Sequence, residues 1–241
     1  FDLQQHPPEV APTAHCLLGG VVVNENGEAG VPGLYAVGEV AGGIHGAGML
    51  PGNALAAALV FGRRVGVASS EWVLKTAPPA VDGEQVDADM KRAYGLLEDR
   101  NGPRVSLLRK QLQVAMWNNC GPVRSRHGLN SVLEQISKWR STASSSFMVE
   151  NKSQRHNREW IEALELENML MVAEAMLKSA LERRESRGVH YRSDHTRLNN
   201  HQYFVNIQTR QLNGEIIVES KPVAVKYVTQ PSGEFMEGEP S

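Results

Sequence analysis

The sequence predicts an α+β chain: a glycine-rich segment of short strands, then a run of amphipathic helices, then a terminal β-hairpin. Three observations predict it. β-branched and aromatic runs broken by turn residues stand near the start, and apolar residues recur at helical spacing through the middle. Near the end an Asn-Gly pair separates two segments rich in β-branched residues.

Each element follows in order. GGVVVNENGEAGVPGLYAVGE reads as strand, turn, strand, because VVV and LYAV flank a stretch of turn chemistry. A glycine-rich loop from Gly38 to Gly52 comes next. Asn53 then reads as the N-cap of a helix running to about Val67, since the alanines and leucines behind it are strong helix formers. Residues 69–103 are polar and read as a linker around APPAVDGE.

Val105, Leu108, Leu112 and Ala115 fall at helical spacing, as do Leu129, Val132, Leu133, Ile136 and Trp139. The longest helix is expected from about Asn157 to Arg184, with Ile161, Leu164, Met169, Val172, Ala175, Met176 and Leu181 on or near one face. Residues 104–190 therefore form a helical bundle. Residues 191–241 hold the hairpin, turning at Asn213-Gly214, and a polar tail after Thr229. Residues 1–68 form the first, glycine-rich region.

Composition narrows the class. Hydrophobic residues make up 41% and charged residues 22%, ordinary for a globular protein. The formal net charge of -2 gives no basis for a nucleic-acid partner. The two cysteines, Cys16 and Cys120, form neither a metal-ligand spacing nor a disulfide scaffold, which fits a reducing compartment. No apolar run approaches the ~20 residues of a membrane span, and no signal peptide is expected. A cytoplasmic chain is expected, peripheral to a membrane at most through partners. The opening FDLQQHPPEV reads as mid-protein, so a fragment, a processed chain or one piece of a split protein is expected.

The chemistry concentrates in GEVAGGIHGAGMLPGNAL. Glycines let backbone approach a ligand, and a helix N-terminus offers free N–H groups with positive partial charge. The loop can cradle an electron-rich or anionic group above the Asn53–Leu55 turn, with Glu39 accepting hydrogen bonds from hydroxyls. It can equally be a turn that lets the helix pack closely. The residues alone leave both readings open. His190, Asp194, His195 and His201 do not have metal-ligand spacing, and no metal site is expected.

GLYAVGEVAGGIHGAGMLPGNALAAALVFGRRVG resembles the C-terminal FAD-binding segment of the succinate dehydrogenase/fumarate reductase flavoprotein family, which includes L-aspartate oxidase. That family reads G-L-[YF]-A-x-G-E, then H-G-A-N-R-L-x-x-N-[SA]-L. Upstream, APTAHCLLGGV resembles its P-T-A-H-[YF]-x-M-G-G, and downstream ESRGVHYRSD resembles the motif closing its helical domain. The resemblance spans about Glu9 to Lys226 and implies the C-terminal part of a FAD-binding α/β domain, followed by the bundle and hairpin.

By resemblance the cofactor is FAD. Glu39 binds its ribose or ribityl region, and Asn53, Ala54 and Leu55 set a helix N-terminus at the flavin N1–C2 carbonyl edge. Gly19, Gly20 and the backbone of His45 and Gly46 line the isoalloxazine, and His15 bonds a substrate carboxylate. Arg187 and Arg192 are expected to pair with acidic residues or carbonyls, with Glu185 structural. The implied chemistry is hydride transfer between flavin and a small organic substrate, carboxylates included. Electrons are exchanged with a partner protein such as an iron–sulfur subunit. No catalytic acid is identified in the chain.

Two departures shape the expectation. The dinucleotide fingerprint GxGxxG does not occur, so another chain or segment is expected to supply the N-terminal FAD-binding half. Where the family carries the arginine of H-G-A-N-R-L, this chain carries Met49. Methionine cannot clamp a carboxylate, which points away from a C4 dicarboxylate and toward a less anionic or bulkier substrate. The alternative is a non-catalytic interaction subunit that keeps a remnant flavin site.

Overall fold

The structure, a computed structural model, describes residues 9, 11, 13–98, 101–143, 147–225 and 234–236. Pro12 and most of the tail after Thr229 lie outside the described residues. The chain forms two compact units, Phe1–Pro78 and Pro79–Ser241.

In the first unit the two expected strands shrink to single bridges, Val21 with Ala41 in parallel and Glu28 with Tyr35 antiparallel. A strand persists only where a neighbour continues its ladder. Here Val22 and Leu34 find no such neighbour among the described residues and stay about half exposed, at 52% and 51%. A 3-10 turn, Gly38–Val40, opens the glycine loop.

Helix α1, Asn53–Lys75, runs two turns past the expected end at Val67. Its later turns have a packing partner: a methyl group on Gly27 or Gly33 would collide with Val65 or Trp72. Asn53 is not the cap. Gly52 holds that position at φ +86°, in the left-handed region, and no side chain bonds the first turn.

In the second unit, helix α2, Gly83–Gly95, occupies the segment read as a linker. Asp82 caps it by accepting from the N–H groups of Glu84 and Gln85. Trp160 Nε1 donates to Ala93 O at 2.7 Å, and Arg92 reaches Glu167 at 2.8 Å. The polar composition concealed the helix because its own residues all lie at least partly exposed, with burial beginning only at Leu96.

The bundle comprises α3, Val105–Cys120, α4, Arg126–Ala143, and α5, Arg158–Glu182. Val105, Leu108, Leu112 and Ala115 of α3 are buried, as are Leu129, Val132 and Ile136 of α4. Phe147 and Val149, between α4 and α5, complete the same core. On α5 the buried stripe is Ala163, Leu166, Leu170, Ala173, Leu177 and Ala180. Ile161 and Val172, expected near the core face, are 54% and 50% exposed. Alternating steps of three and four keep small residues toward the neighbouring helices, and alanines permit close approach. Asn157 caps α5 by accepting from Trp160 N–H at 3.0 Å.

Strands β1, Val123–Arg124, and β2, Tyr191–Arg192, pair in parallel. β3, Arg197–Asn199, pairs with β6, Glu234–Met236. After the short helix α6, Asn200–Tyr203, strands β4, Val205–Leu212, and β5, Glu215–Pro222, form the hairpin. Asn213 at φ 51° and Gly214 at φ 83° make its two-residue turn, the type I′ geometry that matches strand twist. No helix among the described residues is long and apolar enough to cross a membrane.

A buried polar hub closes this unit. Glu185 is fully buried and accepts from Arg183, from Arg187 at 2.7 and 3.0 Å, and from Asn199 N–H at 2.8 Å. Arg192, 1% exposed, donates to Ala180 O and grips both oxygens of Asp194 at 2.8 Å. The expected pairing of Arg187 and Arg192 with acids and carbonyls is therefore observed. His190 sits between Arg124 and the Arg183 carbonyl. A guanidinium only donates and a carbonyl only accepts, so Nδ1 accepts and Nε2 donates. Burial first, and then the Arg124 charge, lowers the His190 pKa to about 4. The Arg192 guanidinium holds the Asp194 carboxyl far below its usual range, helped by the Arg126 N–H.

Candidate functional site

The site lies in the first unit, where a strap from Thr13 to Val21 meets the Gly38–Gly52 loop and the start of α1. Two backbone bonds tie the strap at its end: Val21 N–H donates to Val40 O at 2.7 Å, and Gly42 N–H donates to Val21 O at 2.9 Å. The crossing is tight. A methyl group on Gly20 would stand 2.2 Å from Val40 O, and one on Gly42 would stand 2.9 Å from Gly20 N and O. Both positions therefore require the absence of a side chain. Gly20 meets the chain itself on that side, whereas Gly19 and Gly46 have nothing within 4 Å there and leave their backbone open.

Glu39 is exposed, and its Oε1 accepts from Leu17 N–H at 2.8 Å. His15, two residues earlier, is exposed, while His45 and Met49 are half-buried in the loop. At the start of α1, Asn53 N–H donates to Leu50 O at 3.1 Å. The N–H groups of Ala54 and Leu55 find no acceptor among the described residues, and the first turn carries no acidic side chain. An uncapped N-terminus on a helix of 23 residues presents orphan donors and positive partial charge. An electron-rich carbonyl or anionic edge satisfies both, so the residues present suit a flavin's N1–C2 edge.

Met49 brings no charge to this loop. Arg63 lies ten residues along the helix from Asn53, about 15 Å of rise, so it does not substitute for a guanidinium at position 49. Sequence reasoning named Gly20 but missed Gly42, its reciprocal partner, and missed the Leu17 N–H. The paired doublets Gly19-Gly20 and Gly42-Gly43 were the available signal, since two backbones cross most closely where both lack Cβ.

Residues 109–235 match the family described as "Fumarate reductase flavoprotein C-term", and residues 2–55 match "FAD binding domain". Among curated proteins, the chain is 40% identical over 193 residues to one subunit of the fumarate reductase (CoM/CoB) of Methanothermobacter marburgensis. That match takes in 80% of this chain and 35% of the relative. It is 35% identical over 203 residues to the chloroplastic L-aspartate oxidase of Arabidopsis thaliana, covering 80% of this chain and 30% of that protein. Among solved structures, the FrdA chain of E. coli quinol fumarate reductase superposes with a TM-score of 0.84 at 28% identity. The superposition covers 92% of this chain and 39% of that one. The Sdh1 chain of Mycobacterium smegmatis gives 0.83 at 29% identity, over 88% and 36%. The chain thus spans about a third of the length of the curated relatives it matches.

Proposed function

Because the chain belongs to the fumarate reductase flavoprotein family, whose C-terminal model spans more than half of it, we propose that it works as part of a FAD-dependent oxidoreductase. The observation that carries the reading is the uncapped start of α1 inside the segment matched by the FAD-binding model. Bound FAD supplies hydride exchange with a carbon of a small organic substrate.

The chain's own residues do the rest. The Ala54 and Leu55 N–H groups and the α1 dipole stabilise negative charge at the edge they face. Glu39 keeps one carboxylate oxygen for a cofactor hydroxyl, and the open backbones of Gly19 and Gly46, with His45, admit a flat ring. His15, on the exposed strap, orients substrate. Met49 offers an adaptable apolar wall in place of a guanidinium. A charge-assisted clamp contributes ~1.5–3 kcal/mol, so its absence weakens dicarboxylate binding roughly tenfold or more. The substrate is accordingly less anionic or bulkier than a C4 dicarboxylate.

The dinucleotide half of the cofactor site belongs to another segment or chain. The partner for electrons is an electron-transfer protein, of which an iron–sulfur subunit is the leading candidate. Placement beside a membrane comes through such partners.

The test is a visible absorption spectrum of the purified assembly, with the mass of every chain in it. An oxidised-flavin band is expected, and Glu39→Ala is expected to lower the flavin-to-protein ratio. Absence of flavin from a stable complex instead assigns the chain a non-catalytic role in assembly.

A further inference from the structure

The strap from Thr13 to Val21 is fastened to the residues around Gly38–Val40 at only two places among the described residues. One is the pair of backbone bonds at Val21, and the other is the Glu39 carboxylate on Leu17 N–H. From Thr13 to Cys16 no described residue makes a hydrogen bond or ion pair. The fastening nearest His15 is therefore the side chain of Glu39. Two residues of extended chain, about 7 Å, separate it from that histidine. The chain uses only Oε1, and Oε2 has no partner among the described residues.

From this juxtaposition we infer that Glu39 is a positioning residue for His15: one carboxylate oxygen holds the strap while the other serves the cofactor. The inference rests on the proposed reading of His15 as substrate-facing and Glu39 as cofactor-facing. One carboxylate then links the two halves of the site. Without the Leu17 bond, the strap pivots about Val21 and His15 loses its fixed distance from the loop. With it, the histidine is ordered before substrate arrives, which lowers the entropic cost of binding.

Leu17→Pro separates this role from cofactor binding, because it deletes the donor N–H and leaves Glu39 intact. Leu17→Ala is the control: it keeps the N–H and trims a side chain that is 51% exposed. Both are made in the complete flavoprotein that contains this chain. Three quantities are read: the flavin-to-protein ratio, kcat and KM for monomethyl fumarate, a less anionic enoate, with reduced viologen as electron donor, and amide exchange over residues 13–20.

Leu17→Pro is expected to keep the parent flavin ratio, raise KM roughly tenfold with little change in kcat, and speed exchange in the strap. Glu39→Ala, assayed with saturating FAD, gives the same rise in KM, and the double variant adds nothing to it. Glu39→Gln, which retains an acceptor oxygen, restores slow exchange. Unchanged KM and unchanged exchange in Leu17→Pro overturn the inference, as does loss of flavin in that variant. If the parent holds flavin without turning over that ester, its dissociation constant, read by titration of the flavin spectrum, takes the place of KM. A parent without flavin refutes the functional reading instead, so the two failures are distinguishable.

Discussion

Gly20 and Gly42 mark where single residues decide the geometry of the site. Each occupies the space that a side chain on the other strand of the crossing would need. Gly20→Ala is expected to displace the strap and lower stability by about 1–3 kcal/mol, with loss of flavin. The adjacent Gly19→Ala meets open space and is expected to change the thermal midpoint little. Comparing the two variants by thermal unfolding and flavin content checks the crossing. Met49 is a chemical rather than steric determinant. Met49→Arg is expected to raise affinity for C4 dicarboxylates roughly tenfold or more in the assembled protein, read by titration of the flavin spectrum. No gain in affinity sinks the idea that Met49 excludes them.

Among the elements, α5 is where packing overrode hydrophobicity. Its large apolar residues are shared between faces, and the face that meets α3 and α4 is the one carrying Ala163, Ala173 and Ala180. Three alanines hold the helices close, so enlarging one is costly. Ala173→Leu is expected to destabilise the bundle by about 1–3 kcal/mol through overpacking. Val172→Ala, at a residue half exposed, is expected to be neutral or slightly stabilising, since alanine is the better helix former. Urea unfolding of both variants distinguishes the observed stripe from the one that large side chains alone suggest.

For the molecule as a whole, the two units draw stability from different sources. The second unit joins one continuous apolar core to the buried hub around Glu185, Arg192 and His190. The first buries only Ala36 and Ala41 among its described apolar residues, and α1 keeps Leu55, Leu59 and Leu74 more than two-thirds exposed. The hub makes stability depend on pH. His190 is held neutral in the fold, with a pKa of about 4 against 6.5 when free. The unfolded chain therefore binds the extra proton between those values, and stability falls as pH drops from about 6.5 to 4. The loss approaches roughly 3 kcal/mol at pH 4, on the order expected for such a displacement. Asp194, held low by Arg192, adds a further loss only below its ordinary range near 3.8. Urea midpoints between pH 7 and 4 should decline in the parent and stay flatter in His190→Gln. Parallel declines exclude His190 as the source.

Elements with long, regular signals were legible in the chain alone: the α3 and α4 faces, the extent of α5, and the Asn213-Gly214 hairpin. Each is written locally, in periodicity or turn chemistry. The glycine loop before a helix and the Met49 departure were also legible, because they are matters of residue type. The rest was set by the folded chain. It turned the VVV and LYAV strands into single bridges, put α2 in the polar stretch, moved the cap from Asn53 to Gly52, and set Gly20 against Gly42. It also spent one oxygen of Glu39 on Leu17. The Val21–Ala41 bridge, the glycine crossing and the Glu39 bond depend on which distant backbone lies opposite a residue, and no local pattern encodes a neighbour that is twenty residues away.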